Sequence, residues 1–178
     1  IIIAQDTTYY GMDIYGRLAL PELLKELCKI DGIRWIRLMY CYEDKITNEL
    51  IDTMAREEKI CHYIDIPIQH SSDRILKAMN RKSTKTSIMS TISKLRAKMP
   101  DINIRTTLIT GFPGETEEDF DELYNFVSEM KFERLGIFAY SREEGTPADK
   151  MKGHIRQDIK EKRRDSIMLM QTELSLSK

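Results

Sequence analysis

No apolar run in the 178 residues approaches the roughly 20 that span a bilayer. The apolar start Ile1-Ile2-Ile3 also lacks the basic flank and cleavage site of a secretory signal. A cytoplasmic setting with no membrane partner is the expectation. Cysteine is scarce: Cys28, Cys41 and Cys61 are odd in number, widely spaced and set in apolar stretches, with no CxxC or CxxxCxxC spacing. That excludes a disulfide framework and leaves no metal ligands to assign. With 8 Gly, 5 Pro, 41% hydrophobic and 32% charged residues, collagenous, low-complexity and disordered classes are excluded. An excess of charge is missing too. Lys and Arg number 28 against 29 Asp and Glu, so no net field steers the chain to nucleic acid. Ile1-Ile2-Ile3-Ala4 reads as the inside of a strand, which makes a piece of a longer protein the expectation.

What is present is a regular rhythm of β-branched runs and helical patterns. Ile1 to Ala4 reads as a strand, Leu20 to Ile30 as a helix with Pro21 in its first turn, and Arg34 to Tyr40 as a second strand. Thr47 caps a helix to about Glu57, and a third strand covers Tyr63 to Ile68, with Pro67 ending or bulging its pairing. Asp73 to Met79 and Thr84 to Pro100 read as helices, and Ile102 to Thr110 as the fourth strand. Thr116 with Asp119 makes a capping box for a helix whose buried stripe is read as Phe120, Leu123, Tyr124, Val127 and Met130. Phe132 to Tyr140 is the fifth strand, and Arg156 to Leu174 is helical, with the basic run Lys160 to Arg164 read as a solvated face. Strands alternating with helices imply an α/β fold of parallel strands, either an open doubly wound sheet or a barrel-like arc. Both place ligands at the carboxyl ends of the strands.

The segments at those ends are the chemically unusual ones. Gln5-Asp6-Thr7-Thr8 follows the first strand with donors and acceptors able to grip an amino-acid-like group, or to form an Asx or ST turn. Asp65 lies within the third strand, with Gln69 and His70 at its mouth; His70 is either a proton carrier or a hydrogen-bonded loop residue. Arg105 and Thr107, two apart, face one way, and an inward Arg needs an anion, either a ligand or Asp65. Gly111-Phe112-Pro113-Gly114-Glu115 joins a strand to a capped helix. Its glycines admit a ligand to the backbone, while Glu115, Glu117, Glu118 and Asp119 favour a neutral or cationic one over phosphate. A plain tight turn is the alternative.

Taken in order, Ala4-Gln5-Asp6-Thr7-Thr8 with Tyr10-Gly11, Asp65 to His70, Leu76 to Arg81, Thr107 to Thr116, and Tyr140-Ser141 with Glu144 to Ala148 resemble the core of the radical-SAM methylthiotransferases over essentially the whole chain. The Gln-Asp-Thr-Thr and Asp-Ile-Pro-Ile-Gln-His versions resemble the members acting on a ribosomal protein rather than those acting on tRNA.

The resemblance implies a partial (β/α) TIM-like barrel, lacking here its first strand and cluster loop. The core would cover residues 1–153, and a C-terminal helix, 154–178, would lead toward a missing TRAM domain. It implies S-adenosylmethionine and two four-iron four-sulfur clusters as cofactors, the cluster ligands lying outside this chain. The implied reaction adds a methylthio group to the β-carbon of an aspartate in a small-subunit ribosomal protein. Gln5, Asp6, Thr7 and Thr8 would hold the methionyl amino group. Arg105 and Thr107 would face the carboxylate or ribose, Gly111, Phe112, Pro113, Gly114 and Glu115 the adenosyl side, and Gln69, His70 and Tyr140 the substrate cavity. Without the cluster cysteines the chain alone is expected to be inert, with no nucleic-acid partner of its own and an exposed strand edge that invites dimerisation. A tRNA-modifying core and a non-catalytic metabolite-binding α/β module are the alternatives.

Overall fold

The computed structural model describes residues Ile1–Leu176. Four strands, β1 (Ile36–Leu38), β2 (Ile60–Gln69), β3 (Asn103–Thr110) and β4 (Arg134–Ala139), are hydrogen-bonded in the order β1-β2-β3-β4. The helices are α1 (Met12–Tyr15), α2 (Leu20–Cys28), α3 (Asn48–Arg56), α4 (Asp73–Ala78), α5 (Lys85–Lys98), α6 (Glu117–Met130) and α7 (Gln157–Leu176). Every step from one strand to the next passes through a helix, the connection that parallel neighbours require. Ile36 of β1 lies opposite Ile60 and Leu38 opposite Ile64, so β2 carries an irregularity there. The expected strand Ile1–Ala4 is reduced to one parallel bridge, Ile2 with Leu38. Ile1 and Ile3 on either side are largely exposed, so nothing packs there to extend the pairing.

The chain divides into two compact units. The first comprises Ile1–Pro67 and Thr86–Arg105. Its core is Ile36, Leu38, Ile60, Ile64 and Ile66, covered by Leu24 of α2, Leu50 and Met54 of α3, and Ile88, Ile92 and Leu95 of α5. Thr47 caps α3 as expected, its hydroxyl accepting from Leu50 N–H. β2 runs on through Pro67 to Gln69, but its pairing with β1 ends before Pro67, as the sequence signal expects, with no bulge at that residue. The carbonyl of Asp65 accepts Cys41 N–H, so Pro67, two residues on, turns its missing donor to the same side, beyond the end of β1, where no ladder bond is lost.

The second unit comprises Ile68–Lys85 and the residues from Thr106 onward. The α6 capping box forms as expected between Thr116 and Asp119. The buried stripe of α6 is Leu123, Phe126, Val127 and Met130; Phe126, not Phe120 or Tyr124, enters the core, its ring 5.9 Å from that of Phe132. The helix α7 packs on β4 and α6. Its basic run is a solvated face only in part: Lys162 is exposed, but Lys160 and Arg163 are buried. Among the described residues, no helix is long and apolar enough to cross a membrane.

Candidate functional site

In the first unit, the exits from the Ile2 bridge and from β1 are tied together by buried polar contacts. Asp6 caps a short 3-10 turn, Thr7–Tyr9, by accepting from the backbone and hydroxyl of Thr8. Its other oxygen meets Lys45 Nζ at 3.0 Å. Thr7 donates its hydroxyl to Met39 O at 2.6 Å and its N–H to Tyr40 O at 2.9 Å, and the Thr8 hydroxyl accepts Tyr42 N–H at 3.2 Å. The hydroxyls of Thr7 and Thr8 therefore shape the turn rather than face a ligand, and Gln5 is the member of the set left exposed.

Asp65 is the hub of this half. It is fully buried; one carboxylate oxygen accepts Arg105 Nη1 at 2.7 Å and the other accepts Tyr40 N–H at 3.1 Å. Asp65 is thus the anion for Arg105, which keeps a third of its side chain accessible. The same carboxylate holds Tyr40 in the left-handed region at φ 54°, a conformation disfavoured for a bulky side chain.

In the second unit, a cavity of about 370 Å³ opens at the ends of β2, β3 and β4, walled by Gln69, Met79, Ile109, Phe112, Tyr140 and Met151 among others. Gln69 has φ 76°, a second strained backbone at a strand end. The walls are mostly apolar, and the Tyr140 hydroxyl is buried without a hydrogen-bond partner. Burial, with help from the Asp149 carboxylate, pushes that phenol above its ordinary pKa, so it stands ready as a donor. A mostly apolar cleft with one unmet polar group suits a heteroaromatic ligand.

The Gly111–Glu115 turn borders this cavity through Phe112, whose ring meets Tyr140 edge-on at 5.4 Å. Glu115 does not join the acidic helix start. It folds back, fully buried, to accept Gly111 N–H at 2.8 Å and Arg163 Nη1 at 2.6 Å. His70 is fully buried and not among the cavity walls, contrary to expectation. Its Nδ1 accepts Ser72 N–H at 3.0 Å, which places the ring proton on Nε2, 3.3 Å from Glu115 but out of line for a hydrogen bond.

Asp119 links two helix starts. It accepts from Ser72, the N-cap of α4, from Thr116, the N-cap of α6, and from Arg74. Burial opposes its ionisation, but the Thr116 N–H, the Ser72 and Thr116 hydroxyls and Arg74 outweigh it and hold the carboxyl at about 2. The folded-state value lies below the unfolded 3.8, so this stabilisation is complete above the unfolded value and is lost as pH falls toward the folded one. Urea unfolding of wild type and Asp119→Asn should show a stability gap that narrows by about 2 kcal/mol from about pH 6 to about pH 2. A gap independent of pH would refute the assignment.

Parallel strands joined by helices, with glycine turns and polar segments at strand carboxyl ends, make an α/β core of the kind that places ligands at those ends. Residues 4–127 match the radical SAM superfamily, and the chain belongs to that superfamily. It is 57% identical over 175 residues, 98% of its length, to the "Ribosomal protein uS12 methylthiotransferase RimO" of Alkaliphilus oremlandii. It is 55% identical over 175 residues to the protein of the same name from Clostridioides difficile. The chain spans about two fifths of the length of these relatives (39–40%). Among solved structures, coproporphyrinogen III oxidase (HemN) from Escherichia coli superposes with a TM-score of 0.72 over 95% of this chain and 38% of its own, at 20% identity. The methyltransferase TsrM from Kitasatospora setae, solved with cobalamin and a four-iron four-sulfur cluster, gives 0.57 over 70% of this chain and 25% of its own, at 17% identity. The fold is thus the partial TIM-like barrel of that superfamily.

Radical SAM chemistry implies two groups, S-adenosylmethionine and an iron–sulfur cluster. The cavity, mostly apolar and with its orphaned Tyr140 hydroxyl, fits an adenosyl group; the space beside Gly111 is filled by Lys160 and is not part of it. The cysteines do not fit a cluster. Among the described residues no group of three His, Cys, Asp or Glu side chains is placed to hold a metal, and burial beside Asp65 and Asp6 pushes the Cys41 thiol far above the range in which a thiolate forms.

Proposed function

We propose that this chain is the S-adenosylmethionine-binding part of a methylthiotransferase that modifies an aspartate β-carbon in small-subunit ribosomal protein uS12. The observation that carries the reading is identity of 55–57% along nearly the whole chain to proteins named for that reaction. When bound, S-adenosylmethionine supplies the hydrogen-abstracting radical chemistry, and the clusters are held by residues outside these 178. Gln5 and the backbone of the turn shaped by Asp6, Thr7 and Thr8 hold the methionyl amino end. Arg105, oriented by Asp65, and Thr107 meet the carboxylate or ribose. Gly111, Phe112, Pro113, Gly114 and Glu115 form or support the adenosyl side, where Gln69 and Tyr140 wall the cavity; the unmet Tyr140 hydroxyl supports a polar ligand atom there. Of the helix expected over 154–178, α7 covers Gln157–Leu176, and Ser177 and Lys178 lie outside the described residues.

The test is anaerobic turnover by the protein at the full length of its relatives, reduced and supplied with S-adenosylmethionine and either uS12 or tRNA. Deoxyadenosine together with a methylthio group on uS12 is expected. Modification confined to tRNA would overturn the substrate, and absence of deoxyadenosine would overturn the reaction class. The 178-residue chain alone is expected to form no deoxyadenosine.

A further inference from the structure

One face of α7 reaches the turn that borders the cavity, at residues far from it in sequence. Arg163 is buried, yet it bridges two carboxylates: Nη1 donates to Glu115 at 2.6 Å and Nη2 to the largely exposed Glu117 at 2.6 Å, with the guanidinium 5.3 Å from the centre of the Phe120 ring. Glu115 is the carboxylate that closes the turn by accepting Gly111 N–H. A buried carboxylate is costly without a cationic partner, and Arg163 is the guanidinium that meets Glu115, His70 Nε2 at 3.3 Å being out of line for a hydrogen bond. One helical turn earlier, Lys160 lays its methylenes where Gly111 has no side chain. Its Nζ donates to Tyr140 O at 2.9 Å, and its own carbonyl accepts the Thr110 hydroxyl at 3.1 Å. Residues 160 and 163, three apart on one face, thus grip the end of β3, the turn after it, and the end of β4 that carries the unsatisfied phenol.

We infer that Arg163, assisted by Lys160, is a positioning residue of the adenosyl site. It acts through Glu115 to hold the Gly111–Glu115 turn in its ligand-receiving form before ligand arrives. This rests on the reading of that turn as part of an adenosyl site. Neither side chain touches the ligand; what they set is the fraction of molecules whose turn is already shaped.

The test uses the 178-residue chain in two arms: amide hydrogen exchange resolved at Gly111, and affinity for S-adenosylhomocysteine, which carries the adenosyl group without the reactive sulfonium. In Arg163→Met, Gly111 N–H should exchange about 10- to 100-fold faster, the ratio expected when a charge-assisted hydrogen bond is lost. Amides of Ile104 and Leu108 inside β3 should keep their rates, and the probe should bind about tenfold more weakly or worse. Arg163→Lys should recover part of both losses, since one ammonium can hold Glu115 but not Glu117 as well. Should Arg163→Met not fold, Glu117→Gln loosens the outer hold without stranding a buried charge, and a smaller rise confined to Gly111 is expected. Unchanged exchange at Gly111, a rise spread evenly over β3, or faster exchange with unaltered affinity would each overturn the inference. If the wild-type chain fails to bind the probe, the adenosyl reading falls, and the exchange arm still decides whether Arg163 closes the turn.

Discussion

Asp65→Ala is expected to destabilise the chain by about 3 kcal/mol, because removing one member of a buried pair strands the other. Two losses combine. Arg105 Nη1 loses a partner at 2.7 Å, and Tyr40 N–H loses the carboxylate at 3.1 Å that holds its backbone at φ 54°. Arg105 is a third exposed and can rehydrate in part, which keeps the cost at the lower end of the usual range for such truncations. Asp65→Asn retains an acceptor for Tyr40 N–H and should cost about half as much. The discriminating measurement is a double-mutant cycle by urea unfolding. Arg105→Met in the Asp65→Ala background should recover about 1–2 kcal/mol, since the stranded charge is then gone. Additive single effects would mean that the pair is not coupled and that Asp65 matters only through Tyr40. Because Tyr40 O accepts Thr7 N–H, loosening Tyr40 also frees the Gln5–Thr8 turn. Protease nicking near Tyr9 should therefore rise in Asp65→Ala beyond what global stability accounts for.

The elements that could be read from sequence are those whose cause is local. Thr47 and the Thr116–Asp119 box mark helix starts because the capping hydroxyl and its N–H partner lie within three residues of each other. The end of β3 at Thr110 likewise follows from the change of hydrophobic period, while β2 ends at Gln69, one residue past the Ile68 expected, and starts at Ile60, three before the Tyr63 expected. The misread features depend on partners distant in sequence. Lys160 and Arg163 look like a solvated face beside Asp158, Glu161 and Asp165, yet their partners are Tyr140 O and Glu115. Glu115 looks like part of an acidic helix start, but burial turns it against Gly111. Arg105 with Asp65 could be anticipated, because an inward Arg needs an anion and strand parity offered one. The left-handed backbones of Tyr40 and Gln69 had no such signal: neither residue type favours φ > 0, and only the surrounding contacts impose it. For His70, residue type suggested proton handling. Only the structure shows that its ring is sealed among Ser72 and Glu115.

Gly111→Ala should have the largest effect of any glycine substitution in the second unit. Its φ of 73° already disfavours a Cβ, which alone costs about 1 kcal/mol. The added methyl would also fall against Lys160, with Cδ at 2.7 Å and Cβ at 2.8 Å and Cγ nearer still. These are not the free end of a flexible chain. Lys160 is fixed at one end by α7 and at the other by Tyr140 O, so relief requires shifting a helix or releasing a buried ammonium. Overpacking of that kind adds about 1–3 kcal/mol, giving about 2–4 kcal/mol in all. Gly145→Ala is the matched control: its φ is 83° and no atom lies within 4 Å of its added carbon, so it should show the backbone cost without the clash. Lys160→Ala removes Cγ and Cδ, and in that background Gly111→Ala should cost about 1 kcal/mol less than in wild type. The affinity for S-adenosylhomocysteine should fall with Gly111→Ala and not with Gly145→Ala, because only the former displaces the turn beside Phe112 and the cavity. Equal unfolding midpoints for the two variants would show that α7 does not press on Gly111, and with it the reason for a glycine there would be lost.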